Sequence, residues 1–205
     1  MVPHYFDHQP LTPSRPRQLR LQLPDVSVRL QSDAGVFGRA AVDAGTRFLL
    51  RRAPVPPSSG DVLDLGSGYG PIAVVMGLRA PLARVWAVDV NARARELTAH
   101  NAAAAGAVNV VAVAPEDVPP EVRFAALYSN PPVRIGLAQL HPLLTGWLDR
   151  LAPAALGHMV VHRHLGSDSL ARWLAGEGFG VDRLASHDGY RILRVRARQA
   201  VNDDR

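Results

Sequence analysis

In Ser129-Asn130-Pro131-Pro132 a carboxamide stands directly before two residues that have no backbone N–H to donate. On so stiff a turn the Asn130 side-chain oxygen and the Pro131 carbonyl can both remain as acceptors. Two such acceptors can hold the protons of a planar amino group and aim its lone pair at an electrophile, a catalysis by positioning that needs no strong base. Asn130, Pro131 and Pro132 are therefore the candidate catalytic residues.

A second constellation lies upstream, in Asp64-Leu65-Gly66-Ser67-Gly68-Tyr69-Gly70. Its glycines let the backbone approach a ligand without a Cβ in the way. A dinucleotide fingerprint wants a third glycine at position 71, where Pro71 stands, so the spacing favours S-adenosylmethionine over NAD. Asp89 falls at the end of the next apolar run, where a carboxylate can accept from both hydroxyls of a ribose; its alternative role is to cap the helix opening at Asn91. Glu116 and Asp117 follow Ala114-Pro115 and could reach an adenine amino group, or form a polar turn before Pro119-Pro120.

These residues need a scaffold that brings them to one edge. From Asp61 onward, short apolar runs alternate with helical stretches, which is the pattern of a parallel sheet covered by helices. The strands are Val62 to Leu65, Arg84 to Val88, Asn109 to Val113, Phe124 to Tyr128 and Gly157 to His162. Helices run from Ile72 to Arg79, Asn91 to Gly106, Leu140 to Leu151 (its start delayed by Pro142) and Ser169 to Gly176. Val181 to Leu184 and Tyr190 to Val195, separated by Asp188-Gly189, close the chain as an antiparallel hairpin. Ahead of this lie a proline-rich start, two alternating segments (Leu19 to Leu23 and Val26 to Leu30) that read as a hairpin turning at Pro24-Asp25, a helix from Ala40 to Arg52, and a linker from Val55 to Gly60. The expected fold is α/β and Rossmann-like: a mostly parallel seven-stranded sheet with an antiparallel last strand, helices on both faces, and an N-terminal β-hairpin extension. The expected units are 1–34, a β-rich extension packed on the domain; 35–198, the domain; and 199–205, a flexible tail.

Composition narrows the chemistry. Among 205 residues there is no Cys and no Lys, so all 23 basic residues are Arg. That excludes thiolate nucleophiles, disulfides, Cys-ligated metals, Lys Schiff bases and Walker-type phosphate loops. No histidine pair has the spacing of a metal motif, so no metal is expected, and His164 is the histidine best placed to neighbour a site at the strand ends. The formal charge of +5 is entirely guanidinium on the basic side. Arg15, Arg17 and Arg20 form one cluster, and Arg194, Arg196 and Arg198 alternate along the last strand; each could follow an RNA backbone or be a solvated face. No leader and no membrane-length apolar run is visible, so a soluble cytoplasmic protein is expected.

Taken together, Asp64 to Gly70, Asp89 and Ser129 to Pro132 resemble class I S-adenosylmethionine-dependent amino-nitrogen methyltransferases. Gly35-Val36-Phe37, Asp43-Ala44-Gly45-Thr46, Asn130 to Gly136, Leu165 to Leu170 and Gly189-Tyr190-Arg191 narrow the resemblance to the small-domain methyltransferases related to bacterial 16S rRNA guanine-N2 methyltransferases. The resemblance runs from about His4 to Val195. It implies S-adenosylmethionine as cofactor, a guanine amine as acceptor, and ribosomal RNA or the small ribosomal subunit as partner, with the protein a monomer and no membrane or metal involved. It places Asp64, Gly66, Ser67, Gly68 and Gly70 about the methionine half of the cofactor, Asp89 and Val90 at the ribose, Glu116 and Asp117 at the adenine, and Asn130 and Pro131 at the amine. Asp43 and Thr46 lie beside the cofactor by resemblance alone.

Three departures stand out. Val133 occupies a position often aromatic in such enzymes, so base stacking must come from elsewhere, with Phe37 and Arg134 the nearest candidates and Arg194 and Arg196 available for the backbone. Leu137 replaces an expected Lys, and Ala152-Pro153-Ala154-Ala155 replaces a Pro-Gly-Gly turn. Two rival readings are a protein N5-glutamine methyltransferase and a non-catalytic, cofactor-binding ribosome assembly factor.

Overall fold

The computed structural model describes residues 12–198. The expected tail at 199–205 and the first part of the N-terminal extension lie outside the described residues.

Strands β1 (Arg17–Gln22) and β2 (Ser27–Ser32) pair antiparallel, with Leu19 opposite Leu30 and Leu21 opposite Val28. Period-two alternation puts these four leucine and valine side chains on one buried face, while Gln18, Arg20 and Gln22 face out. The chain continues into α1 (Ala44–Arg52), which begins later than the expected Ala40 because Asp43 caps it, accepting the Thr46 N–H at 2.9 Å.

Seven further strands build the main sheet: β3 (Ser59–Leu65), β4 (Leu82–Val88), β5 (Val110–Val113), β6 (Phe124–Ser129), β7 (Leu151–His162), β8 (Gly180–His187) and β9 (Tyr190–Arg196). Their order is β5-β4-β3-β6-β7-β9-β8. Pairing is parallel from β5 through β7, and β9 runs antiparallel between β7 and β8. Helices α2 (Pro71–Arg79), α3 (Ala92–Ala105), α4 (Leu137–Leu148) and α5 (Ser167–Gly176) connect them. Strand β3 begins at Ser59, inside the expected linker, because Ser59 to Asp61 pair with Leu82 to Arg84.

Successive residues of each central strand feed opposite faces. Val62, Val85, Tyr128 and Ile192 join Leu49, Met76 and the hairpin leucines in one apolar cluster. Leu63, Trp86, Leu127 and Leu193 join Leu144, Leu148 and Leu174 in the other. The hairpin is tied down by Asn101 of α3, whose Oδ1 accepts the Gln31 N–H at 2.7 Å and whose Nδ2 donates to the Gln31 carbonyl at 2.8 Å.

Two expectations about the fourth crossover need correction. Helix α4 starts at Leu137, before Pro142, and carries that proline inside it. The buried stripe Leu140, Leu144, Trp147 and Leu148 fixes the helix, and only one intrahelical donor is lost to the proline. The helix ends at Leu148, and Leu151 already belongs to β7. Residues 152–155 are a bulge within the strand: Leu151 pairs with Phe124 and Leu156 with Ala126, and Ala154 takes φ 64°.

Candidate functional site

At the C-terminal ends of β3, β4, β6 and β7 lies a cavity of about 580 Å³. One side of it is backbone. Gly66 and Gly68 adopt φ of 75° and 58°, a left-handed turn that residues with a Cβ rarely make. The turn is wired to the end of β4: the N–H groups of Gly66 and Ser67 donate to the Val88 carbonyl at 2.9 and 3.1 Å, and the Gly68 N–H donates to Asp89 Oδ2 at 2.8 Å. Asp89 Oδ1 accepts the Asn91 N–H at 2.9 Å. Each oxygen keeps a lone pair, so Asp89 shapes the glycine turn and still presents acceptors to the cavity. Burial pushes its carboxyl above the usual range, while the two backbone N–H groups and the nearby Arg95 pull it down.

The other expected cofactor residues divide. Gly66, Gly68, Asp89 and Val90 line the cavity. Ser67 and Thr46 line a small annex that opens beside Asn130, and the buried Ser67 Oγ has no partner among the described residues. Asp64 and Gly70 lie beneath the site. Asp64 is fully buried, its Oδ2 accepting the Ala73 N–H in the first turn of α2 at 2.9 Å and its Oδ1 without a partner among the described residues. Desolvation, reinforced by the charge of Asp89, raises its carboxyl to about 8 against the opposing Ala73 hydrogen bond. Gly70 is a packing residue, since a Cβ there would come within 2.8 Å of Thr98. Glu116 and Asp117 are exposed, and Pro115 is the residue of their 3-10 turn that reaches the cavity wall.

Asn130 lines the cavity with its amide fixed. Its Nδ2 donates to Asp43 Oδ1 at 2.9 Å and to Thr46 Oγ1 at 3.1 Å, both acceptors, so the Nδ2 end is turned toward α1. That leaves Oδ1 without a protein donor among the described residues. Pro131 differs from expectation: its carbonyl accepts the Val133 N–H at 2.8 Å, closing the turn and leaving it one lone pair.

Beyond Asn130 the walls become apolar and aromatic. Val133, Arg134, Ile135, Leu143 and Leu165 line the cavity there, joined by His162, His164 and Tyr190, while Phe37 lines both the cavity and the annex beside Ser67. His162 and Tyr190 were not singled out from the residues themselves. The usable signal was register: Tyr190 opens β9 opposite His162, the last residue of β7. Arg194 and Arg196 are placed elsewhere. Because β9 runs antiparallel, they fall at the opposite edge of the sheet, where Asp182 pairs with them at 3.1 and 2.5 Å, and Arg198 pairs with Asp149 at 3.1 Å. Among the described residues, no group of three or more His, Asp or Glu side chains could hold a metal ion.

The model of the methyltransferase small domain family matches residues 27–194. The chain belongs to this family. It is thus an S-adenosylmethionine-dependent methyltransferase with the Rossmann-like sheet of its class. The chain is 28% identical over 199 residues to YbxB of Bacillus subtilis, covering 96% of this chain and 99% of that protein. It is 32% identical to ribosomal RNA small subunit methyltransferase C of Shewanella pealeana, over 84% of this chain but 50% of that protein. The chain therefore spans about half the length of the methyltransferase C relatives. Among solved structures, the Thermus thermophilus 16S rRNA N2 G1207 methyltransferase (RsmC) in complex with AdoMet and guanosine superposes with a TM-score of 0.77 at 24% identity, covering 92% of this chain and 52% of that one. That likeness is one of fold.

Proposed function

We propose that the protein transfers a methyl group from S-adenosylmethionine to the exocyclic amine of a guanine in small-subunit ribosomal RNA. The observation that carries the reading is Asn130, held through its nitrogen by Asp43 and Thr46, which leaves its oxygen without a protein donor among the described residues. The names of the methyltransferase C relatives supply the substrate class.

The residues present fit the cofactor. The cavity has the size of a small-molecule site, and a Cβ on Gly68 would meet no atom of the described residues within 4 Å. Gly66, Gly68 and the unpartnered Ser67 hydroxyl would hold the methionine half, Asp89 and Val90 the ribose, and Pro115 the adenine face. When bound, the cofactor supplies an electrophilic methyl group on sulfur.

The chain's own part is to position the amine. Asn130 Oδ1 accepts one N–H, and the remaining lone pair of the Pro131 carbonyl is available to the second. Donation from Nδ2 to the Asp43 carboxylate polarises the Asn130 amide and makes its oxygen a stronger acceptor. With both protons engaged, the nitrogen lone pair is turned away from the acceptors and toward the cofactor side. His162 and His164 stand at the same end of the cavity but are not required as bases.

The test is transfer of a labelled methyl group to small-subunit particles lacking the modification, to free 16S rRNA and to peptide release factor, followed by nucleoside analysis. N2-methylguanosine from either RNA arm supports the reading. Label in release factor alone would make the protein a glutamine methyltransferase, and no label in any arm would leave a cofactor-binding assembly factor. Work on ribosomal RNA corresponds to a cytoplasmic protein, and no helix among the described residues is long and apolar enough to cross a membrane.

A further inference from the structure

Gly45 lies inside α1, where alanine is the better helix former, and its φ is not in the left-handed region, so the backbone does not ask for glycine. What asks for it is Tyr190. A Cβ on Gly45 would stand 2.7 and 2.8 Å from two carbons of the Tyr190 ring, closer than packed atoms approach.

Tyr190 is also held from the other side. It lies directly across the ladder from His162 of β7 and from His187 of β8, and residues so paired project from the same face. The His162 ring meets the Tyr190 ring edge-on, with centroids 4.7 Å apart and an interplanar angle of 79°. His162 Nδ1 accepts the His164 N–H at 3.3 Å, which fixes that ring in turn. The phenol ring is thus in contact with both the backbone of α1 and the His162 imidazole. Tyr190, His162 and Asn130 all line the one cavity.

We propose that Tyr190 is the substrate-contacting aromatic residue of this enzyme. Its ring packs against the planar base whose amine Asn130 holds, supplying from β9 the aromatic surface that Val133 does not provide. Gly45 is a positioning residue that seats it. This rests on the reading of the site as one that methylates a base amine.

The test uses Tyr190→Phe, Tyr190→Leu, Gly45→Ala and the Tyr190→Leu/Gly45→Ala double variant. Three readouts are taken: kcat and KM on small-subunit particles, S-adenosylmethionine affinity, and affinity for free guanosine by titration of protein saturated with S-adenosylhomocysteine. A base-to-aromatic contact corresponds to about 10- to 100-fold. Tyr190→Leu is expected to lose about that much in kcat/KM and to weaken guanosine, with cofactor affinity within about 3-fold. Tyr190→Phe keeps the ring and should restore both. Gly45→Ala should melt no lower than the parent yet show the Tyr190→Leu defect.

The Cβ of that alanine would also stand 3.0 Å from Asp43 Oδ1. If Gly45→Ala acted through Asp43, its loss would persist in the double variant, and the seating role would be overturned; acting through Tyr190, it adds almost nothing there. Unchanged guanosine affinity in Tyr190→Leu, or no guanosine binding by the parent protein, overturns the contact. Guanosine binding that depends on Tyr190, in a parent protein that methylates no RNA, would sustain the contact and overturn the proposed function instead.

Discussion

Asp43 accepts two hydrogen bonds on the same oxygen, one from the backbone N–H of Thr46 and one from Asn130 Nδ2, each at 2.9 Å. A single carboxylate atom therefore starts helix α1 and decides which end of the Asn130 amide faces the cavity. The two duties separate in Asp43→Ser, because serine is an equally good helix cap but too short to reach Asn130. Expected is a fall in kcat of about 10- to 100-fold from a misaimed amide, with melting within about 2 °C and cofactor affinity within about 3-fold. Steady-state kinetics and thermal denaturation check this; unaltered kcat would show that Asn130 is aimed by Thr46 alone.

Asn130→Ala removes the acceptor and nothing that touches the glycine turn. Methyl transfer should be abolished while the cofactor binds within a few-fold of the parent. Asp89→Ala should do the reverse, raising the cofactor dissociation constant by about 10- to 100-fold. It should also destabilise the fold by about 1 to 3 kcal/mol, since the N–H groups of Gly68 and Asn91 lose their shared acceptor. Calorimetric titration of the two variants separates these outcomes, and loss of cofactor binding in Asn130→Ala would contradict the division of labour.

Arginine placement predicts which substitutions change RNA affinity. Arg196 is committed to Asp182, whereas Arg134 is exposed on the cavity wall with no carboxylate partner among the described residues. Arg134→Gln should lower the slope of log K against log salt by about 0.7 to 0.9, the value of one phosphate contact, and Arg196→Gln should leave it unaltered. Filter binding across a salt series measures both slopes.

Two buried titratable groups give stability a pH dependence of opposite signs. The Asp64 carboxyl is raised to about 8 by desolvation, so the folded state holds its proton more tightly than the unfolded chain. Stability is therefore lost as pH rises from about 4 toward 8, and Asp64→Asn should flatten that part of the profile. His158, buried and stacked on Tyr128 with centroids 5.3 Å apart, is pushed down to about 4 by desolvation and by Arg194. Its contribution is lost as pH falls from about 6.5 toward 4, and His158→Gln should blunt that acid loss. Urea unfolding at several pH values, in the parent and both variants, tests each sign separately.

The succession of strands and helices and the place of the glycine turn were legible because apolar runs and helical stretches alternate, and because Pro71 excluded a dinucleotide fingerprint. Asn130 was legible as chemistry but not as geometry, since nothing local shows that Asp43 and Thr46, far back in the chain, hold its Nδ2. The bulge in β7 was hidden for a different reason. Ala152-Pro153-Ala154-Ala155 has no alternation and contains a proline, yet tertiary pairing of Leu151 and Leu156 with β6 carries the strand across it. Arg194 and Arg196 misled because alternation shows that side chains share a face but not which end of the sheet they occupy.

Strand order also sets a lateral polarity across the mouth of the cavity. The turn after β5 ends in the exposed acids Glu116 and Asp117, while the turns after β6 and β7 carry the exposed Arg134 and Arg163. Because β5 and β7 stand on opposite sides of β3, these two acids and these two guanidiniums lie on opposite sides of the glycine turn. On the proposed function, the RNA backbone would be repelled by Glu116 and Asp117 after β5 and attracted by Arg134 and Arg163 after β6 and β7.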